Sequence, residues 1–118
     1  MKVGIDILEV ERINKIKASH LSQIFTENEI NYANLTSSKE QRLAGIFCAK
    51  EAFLKALGIG VRNGIDLTEI EICHNDNGSP IYKVSLKVED VLKSLNIVEF
   101  ELSISHTDNL ATAICIMK

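Results

Sequence analysis

The spacing of apolar positions changes along the chain, and each change predicts an element. Over residues 2–8, Val3, Ile5 and Ile7 point one way and Gly4 and Asp6 the other, which predicts a short strand. From about Leu8 to Ala18, Val10, Ile13 and Ile16 or Lys17 alternate between core and solvent, which predicts a helix. Thr26-Glu-Asn-Glu29 is a capping box and opens a second, short helix. Thr36, Ser37 and Ser38 punctuate the chain before the longest helical pattern, which includes Leu43 to Gly58. That helix is expected to take Ser38 as its N-cap and Gly58 as its C′ residue. Gly58, Gly60 and Gly64 then make a flexible loop, too irregular for a dinucleotide or P-loop signature.

The second half reads as strands. Glu69–His74 and Pro80–Lys87 flank His74-Asn-Asp-Asn-Gly78, a strong hairpin signal. Val88–Leu95 is a short helix. In Val98–His106, residues Val98, Phe100, Leu102, Ile104 and His106 share one face, with Glu99, Glu101, Ser103 and Ser105 on the other. Thr107-Asp-Asn109 turns the chain, and Leu110–Met117 returns as a buried strand. The expected fold class is α+β, an antiparallel sheet packed around one long helix.

The long helix is unusual on a 3.6-residue wheel. Leu43, Phe47, Leu54 and Leu57 form a broad apolar stripe edged by Ile46 and Phe53. Gly45, Ala49, Ala52 and Ala56 form a second face that suits close backbone approach. Cys48, Glu51 and Lys55 make one narrow polar strip. Lys50 falls inside the apolar stripe, where it must reach out to water or meet an anion.

Size and charge narrow the classes. A chain of 118 residues without repeats or linkers reads as one domain, 1–118, with a small core that association would enlarge. Hydrophobic residues make up 46% and charged residues 25%, ordinary for a soluble globular protein. The net charge of −3 argues against non-specific nucleic-acid binding. No apolar run has the length of a membrane span, and Asp6 and Glu9 interrupt the only apolar run near the N-terminus, so no signal peptide is expected. Cys48, Cys73 and Cys115 lack metal-site spacing and read as free thiols of a cytoplasmic protein.

Asp6 and Glu51 are the candidate chemistry, because each is an acid in an element built for burial. Either alone reads as a cap or ion-pair partner. Together they suit Mg²⁺, which keeps waters and phosphate oxygens as further ligands. Lys55, one turn after Glu51, would face the same phosphates as a point charge. His106 ends its strand near a sheet rim; read alone it is a core histidine in register with an apolar face. His20 and His74 have no comparable setting and are expected to be exposed.

Four segments then carry a resemblance. Val3-Gly-Ile-Asp-Ile7 with Arg12, Phe47-Cys-Ala-Lys-Glu-Ala-Phe-Leu-Lys-Ala-Leu-Gly58, Gly78-Ser-Pro80 and Ser103-Ile-Ser-His106 resemble the holo-acyl-carrier-protein synthases, the short bacterial type of 4′-phosphopantetheinyl transferase. The resemblance covers essentially the whole chain in order. It implies Mg²⁺-dependent transfer of 4′-phosphopantetheine from coenzyme A to a serine of acyl carrier protein, releasing adenosine 3′,5′-bisphosphate and serving fatty acid biosynthesis. By the same resemblance, Asp6 and Glu51 hold the metal and Lys55 neutralises phosphate charge. His106 contacts the coenzyme A phosphates, Gly78 and Pro80 shape the adenine pocket, and Arg12 meets the carrier; the run of positive charge from Arg12 to Lys17 adds Lys15 or Lys17 as help. Glu51 is also the nearest candidate base. A homotrimer with active sites between subunits is implied as well.

Two positions depart from the family pattern. Lys2 stands where many relatives have glycine, and Ile46 replaces an arginine before Phe47. Arg42 and Lys50 each lie one turn from position 46, and either could hold the 3′-phosphate of coenzyme A. The competing classes are a non-catalytic trimeric binding module and a small metal-dependent phosphohydrolase. Intact Asp6, Glu51, Lys55 and His106 argue against the first. The absence of a histidine–carboxylate cluster argues against the second.

Overall fold

The computed structural model describes residues 1–58 and 64–118. Its elements are β1 (Lys2–Glu9), α1 (Ala18–Ile24), α2 (Glu27–Asn34), α3 (Lys39–Leu57), β2 (Ile70–His74), β3 (Pro80–Val84), α4 (Leu86–Ser94), β4 (Phe100–His106) and β5 (Leu110–Met117). Short 3-10 helices cover Val10–Lys15 and Leu67–Glu69. Antiparallel strands in the order β1-β5-β4 form one sheet, and β2-β3 form a hairpin. Both pack around α3, as the α+β expectation requires. Among the described residues no helix is long and apolar enough to cross a membrane.

Helix α3 starts after Ser38, although the Ser38 side chain makes no capping bond, and it ends at Gly58. Gly58 takes φ +68, the left-handed value that favours glycine at this position. The small-residue face of α3 receives β1. A Cβ at Gly4 would lie 1.9 Å from the Ala52 carbonyl oxygen and 2.5 Å from the Ala56 nitrogen. Only glycine permits that contact. The apolar face meets the hairpin through Phe53, whose ring lies 4.8 Å from Tyr82 and 5.7 Å from Phe100. The buried Tyr82 hydroxyl donates to the Ala49 carbonyl at 2.7 Å.

The register places Asp6, Ala113 and Ile104 side by side across the sheet, with His106 one row further, opposite Ala111. Gly4 and Asp6 therefore share the helix-facing side. The outward side of β1 carries Val3, Ile5 and Ile7, which are 55%, 61% and 65% exposed.

Three expectations are corrected. The helix expected over Leu8–Ala18 is instead the end of β1 and a 3-10 helix. Glu9 pairs with Leu110, and the Val10 amide donates to Asn109 at 2.8 Å, so the sheet extends through the predicted helix start. Val10 and Ile13 are then buried at the i,i+3 spacing of a 3-10 turn. The strand expected to reach Lys87 stops at Val84, because Ser85 caps α4 by accepting from the Val88 amide. The strand expected from Val98 begins at Phe100. Of the predicted glycine loop, Gly60 lies outside the described residues, while Gly64 takes φ +80.

Candidate active site

The first part of the site lies where β1 crosses α3. Gly4 brings the two backbones together, and Asp6, two residues on, presents its carboxylate to the helix. Its side chain is 15% exposed, and Oδ1 accepts from Lys55 Nζ at 3.0 Å. Lys55 also donates to the Ile5 carbonyl at 3.1 Å. Thr112 holds the strand by donating to the Asp6 carbonyl at 2.8 Å. Glu51 sits one turn before Lys55.

The Cys48 thiol is buried on α3, three residues before Glu51. It donates to the Ala111 carbonyl at 3.5 Å. Burial pushes its pKa up to about 12, with Asp6 the next cause through charge and a hydrogen bond, and Glu51 adding to it. Lys55 opposes the rise. Asp6 and Lys55 meet at this corner, with Glu51 one helical turn before Lys55. Cys48 was legible only as part of the polar strip with Glu51 and Lys55; its bond to the Ala111 carbonyl required the fold.

The donor set fits a particular kind of metal. Among the described residues, no group of three His, Cys, Asp or Glu side chains is arranged to hold an ion. Asp6 and Glu51 could hold only a hard cation that takes its other ligands from water and substrate oxygens, the donor set Mg²⁺ accepts. They do not make a closed zinc site.

The second part is a cleft of about 220 Å³ bordered by Arg42, Ile46, Gly78, Pro80 and His106. Gly78, at φ +86, turns the hairpin, and its amide donates to the Asn75 carbonyl at 2.9 Å. Arg42 lies 4.2 Å above the Tyr32 ring and donates to the Tyr32 carbonyl at 2.8 Å. On the other face of that ring system, His74 stacks on Tyr32 at 3.9 Å. His74 is thus half-buried, not exposed as expected. Burial, and then the Arg42 charge, lower its pKa below the usual histidine value. Arg42 is the cation that lines this cleft.

Lys50 is not there. Its side chain is wholly buried, and Nζ reaches Glu29 Oε1 at 2.8 Å and the Leu67 and Ile70 carbonyls at 2.9 Å each. All three ammonium hydrogens have protein acceptors, so Lys50 cannot serve a phosphate. Of the two alternatives at this position, Arg42 borders the cleft and Lys50 does not. Arg12, Lys15 and Lys17 are exposed at or just after the 3-10 helix that follows β1. His20 is exposed. Another cleft, of about 680 Å³, is rimmed by Glu9, Glu11, Glu40 and Asp108, a lining that repels phosphate.

The two parts lie along one helix. Arg42 and Glu51 are nine residues apart, about 13 Å at helical rise. At about 100° per residue the two side chains leave α3 on opposite sides.

Known proteins share this fold. The family model of the 4′-phosphopantetheinyl transferase superfamily matches residues 2–115. A holo-[acyl-carrier-protein] synthase of Caldanaerobacter subterraneus subsp. tengcongensis is 43% identical over 117 residues, 97% of this chain and 91% of the relative. The crystal structure of the holo-[acyl-carrier-protein] synthase from Neisseria meningitidis superposes with a TM-score of 0.88 at 27% identity, covering 99% of this chain and 97% of that one. The synthase from Bacillus anthracis, solved in complex with CoA (3′,5′-ADP), gives a TM-score of 0.79 at 35% identity, covering 98% and 94%. With the match running from β1 to β5, the chain belongs to the holo-[acyl-carrier-protein] synthases of the 4′-phosphopantetheinyl transferase superfamily.

Proposed function

We infer the following division of labour for a chain that transfers 4′-phosphopantetheine from coenzyme A to a serine of apo-acyl carrier protein, in support of fatty acid biosynthesis. Asp6 and Glu51 hold Mg²⁺ at the β1–α3 crossing, where the ion would neutralise charge on the coenzyme A pyrophosphate. Lys55, whose side chain is 55% exposed, swings from Asp6 to a phosphate oxygen as substrate enters. His106 contacts a phosphate from the rim of β4, and Gly78 and Pro80 border the adenine. Arg42 takes the 3′-phosphate in place of the cation that Ile46 does not supply. Attack on a phosphoryl group needs positioning and charge neutralisation more than covalent help, and these side chains supply both.

The observation that carries this reading is the Asp6–Lys55 contact at 3.0 Å beside Glu51. It brings the acid of β1 to the ammonium of α3, one helical turn from Glu51. Carrier docks through Arg12, assisted by Lys15, on the exposed 3-10 helix next to β1. The acidic chain needs such a local basic patch to meet an acidic partner.

The active unit is a homotrimer with sites between subunits. The exposed row Val3, Ile5 and Ile7, beside the 38%-exposed Ile116 of β5, supports association through the outer face of the sheet. The family supplies the number three. Free cysteines fit a cytoplasmic setting.

The test is direct. Incubate the protein with coenzyme A, Mg²⁺ and apo-carrier, and weigh the carrier by mass spectrometry. The carrier gains one phosphopantetheine with wild-type protein and none with Glu51→Ala. A Glu51→Ala enzyme with the normal rate and normal Mg²⁺ dependence would remove the metal assignment.

A further inference from the structure

Glu29 and Lys50 are charged side chains at 0% exposure, and none of the roles above uses them. Their hydrogen bonding is complete. Lys50 donates to Glu29, Leu67 and Ile70. Glu29 Oε1 also accepts from the Thr26 amide at 2.8 Å, and Oε2 accepts from the Ile72 amide at 2.7 Å. One ion pair therefore ties α2, α3, the 3-10 helix Leu67–Glu69 and β2 together.

Stability alone is a poor reason for such a pair. A buried ion pair loses so much hydration that well-packed apolar side chains of similar volume are often as stable or more so. Lys50 lies in the middle of an apolar stripe where leucine or methionine would pack. What the pair adds is direction. Apolar contacts allow a helix to slide or roll by fractions of an ångström, whereas three ammonium bonds at 2.8–2.9 Å set both its rise and its rotation at residue 50. The next residue is Glu51, 100° further round the helix. On the opposite flank, Gly4 sets the separation between α3 and the strand that carries Asp6.

We propose that the buried Glu29–Lys50 pair is a positioning device for the reaction: it locks α3 so that Glu51 meets Asp6 at the spacing the metal needs. This rests on the reading of Asp6 and Glu51 as metal ligands. Lys50 and Glu29 touch neither substrate nor metal, and act through Glu51.

The deciding variant is Glu29→Leu/Lys50→Met, which replaces the pair by apolar side chains. Lys50→Met alone leaves a buried carboxylate without its partner and lowers the melting temperature by ~10 °C or more. The double variant is expected to recover most of that loss. If the pair positions Glu51, the double variant still loses ~10²-fold in kcat. It also binds Mn²⁺ ~10-fold or more weakly in the presence of coenzyme A, measured by electron paramagnetic resonance, and its KM for carrier is unchanged. A double variant that melts like wild type and keeps wild-type kcat and Mn²⁺ affinity overturns the proposal, because the pair then serves packing alone. Should the double variant not fold, Glu29→Gln is judged by the same two readouts. Folded Glu29→Gln with wild-type values overturns the proposal, and a loss in both supports it. Glu51→Ala separates the two layers of inference. If it binds Mn²⁺ as wild type does, the metal reading fails and takes the proposal with it. If it loses Mn²⁺ while the pair variants do not, only the proposal fails.

Discussion

Replacing Gly4 by alanine tests how closely the active-site corner depends on one missing methyl group. The new Cβ would stand 1.9 Å from Ala52 O, 2.5 Å from Ala56 N and 2.9 Å from Ala52 C, all backbone atoms of α3. Contacts below 3.0 Å are essentially never seen for a real Cβ, so β1 and α3 must part by roughly 1 Å. No rotamer can relieve the clash, because neither side of it is a flexible side chain. Overpacking of this kind costs about 1–3 kcal/mol. For a domain of this size that is a fall in melting temperature of roughly 4–12 °C. The functional loss should exceed the stability loss, because the same separation moves Asp6 from Glu51 and Lys55, and a misplacement near 1 Å costs ~10²-fold in rate. Thermal unfolding followed by circular dichroism gives the first number. Initial rates of carrier modification, taken well below the mutant's transition, give the second. Gly45→Ala is the comparison: its Cβ would meet one side-chain atom, Ile104 Cγ2, at 2.9 Å, which a small shift of that side chain relieves. If Gly4→Ala melts within a degree of wild type and turns over at the wild-type rate, the close crossing of β1 on α3 does not set the site.

Arg42→Ala should raise the KM for coenzyme A by ~10-fold or more while leaving 3′-dephospho-coenzyme A nearly unaffected, since one charge-assisted bond to phosphate is lost; equal effects on both substrates would remove Arg42 from the 3′-phosphate. Arg12→Ala should raise the KM for carrier by roughly tenfold, about 1.4 kcal/mol, without changing that for coenzyme A, and added salt should weaken wild type more than the mutant. Ile5→Glu places a charge in the exposed apolar row of β1 and should reduce the mass seen by light scattering to that of the monomer, with loss of transfer; an unchanged mass would put any interface elsewhere. His74, held below its ordinary pKa by burial and by Arg42, should add pH dependence to stability. Its contribution is complete above the unfolded value near 6.5 and is lost as pH falls through the folded one, because the unfolded chain takes up the proton first; a His74→Phe variant, which keeps a ring against Tyr32, should lose less melting temperature than wild type between pH 7 and 5.

What the sequence determined by itself was local. Ser38 and Gly58 mark the ends of α3, Thr26 and Glu29 form the capping box that opens α2, and the asparagine-rich turn ending at Gly78 makes the hairpin. These signals are read by the backbone within a few residues, so no distant partner changes them. The motif residues Asp6, Glu51 and Lys55 were legible because acids and an ammonium are out of place in elements otherwise apolar. Three matters were left to the tertiary structure. The chain after Leu8 follows the sheet because the Val10 amide finds Asn109, ninety-nine residues away, and no helical periodicity encodes that bond. The Lys50 ammonium is visible in the apolar stripe, but its counter-charge comes from Glu29 on another helix and its other acceptors are the Leu67 and Ile70 carbonyls, distant in sequence. That pairing takes Lys50 out of the cleft that Arg42 borders. Lastly, alternation in β1 defines two faces without saying which is covered. The choice follows from volume: only the side with Gly4 can lie against α3, so the three large aliphatic residues turn outward.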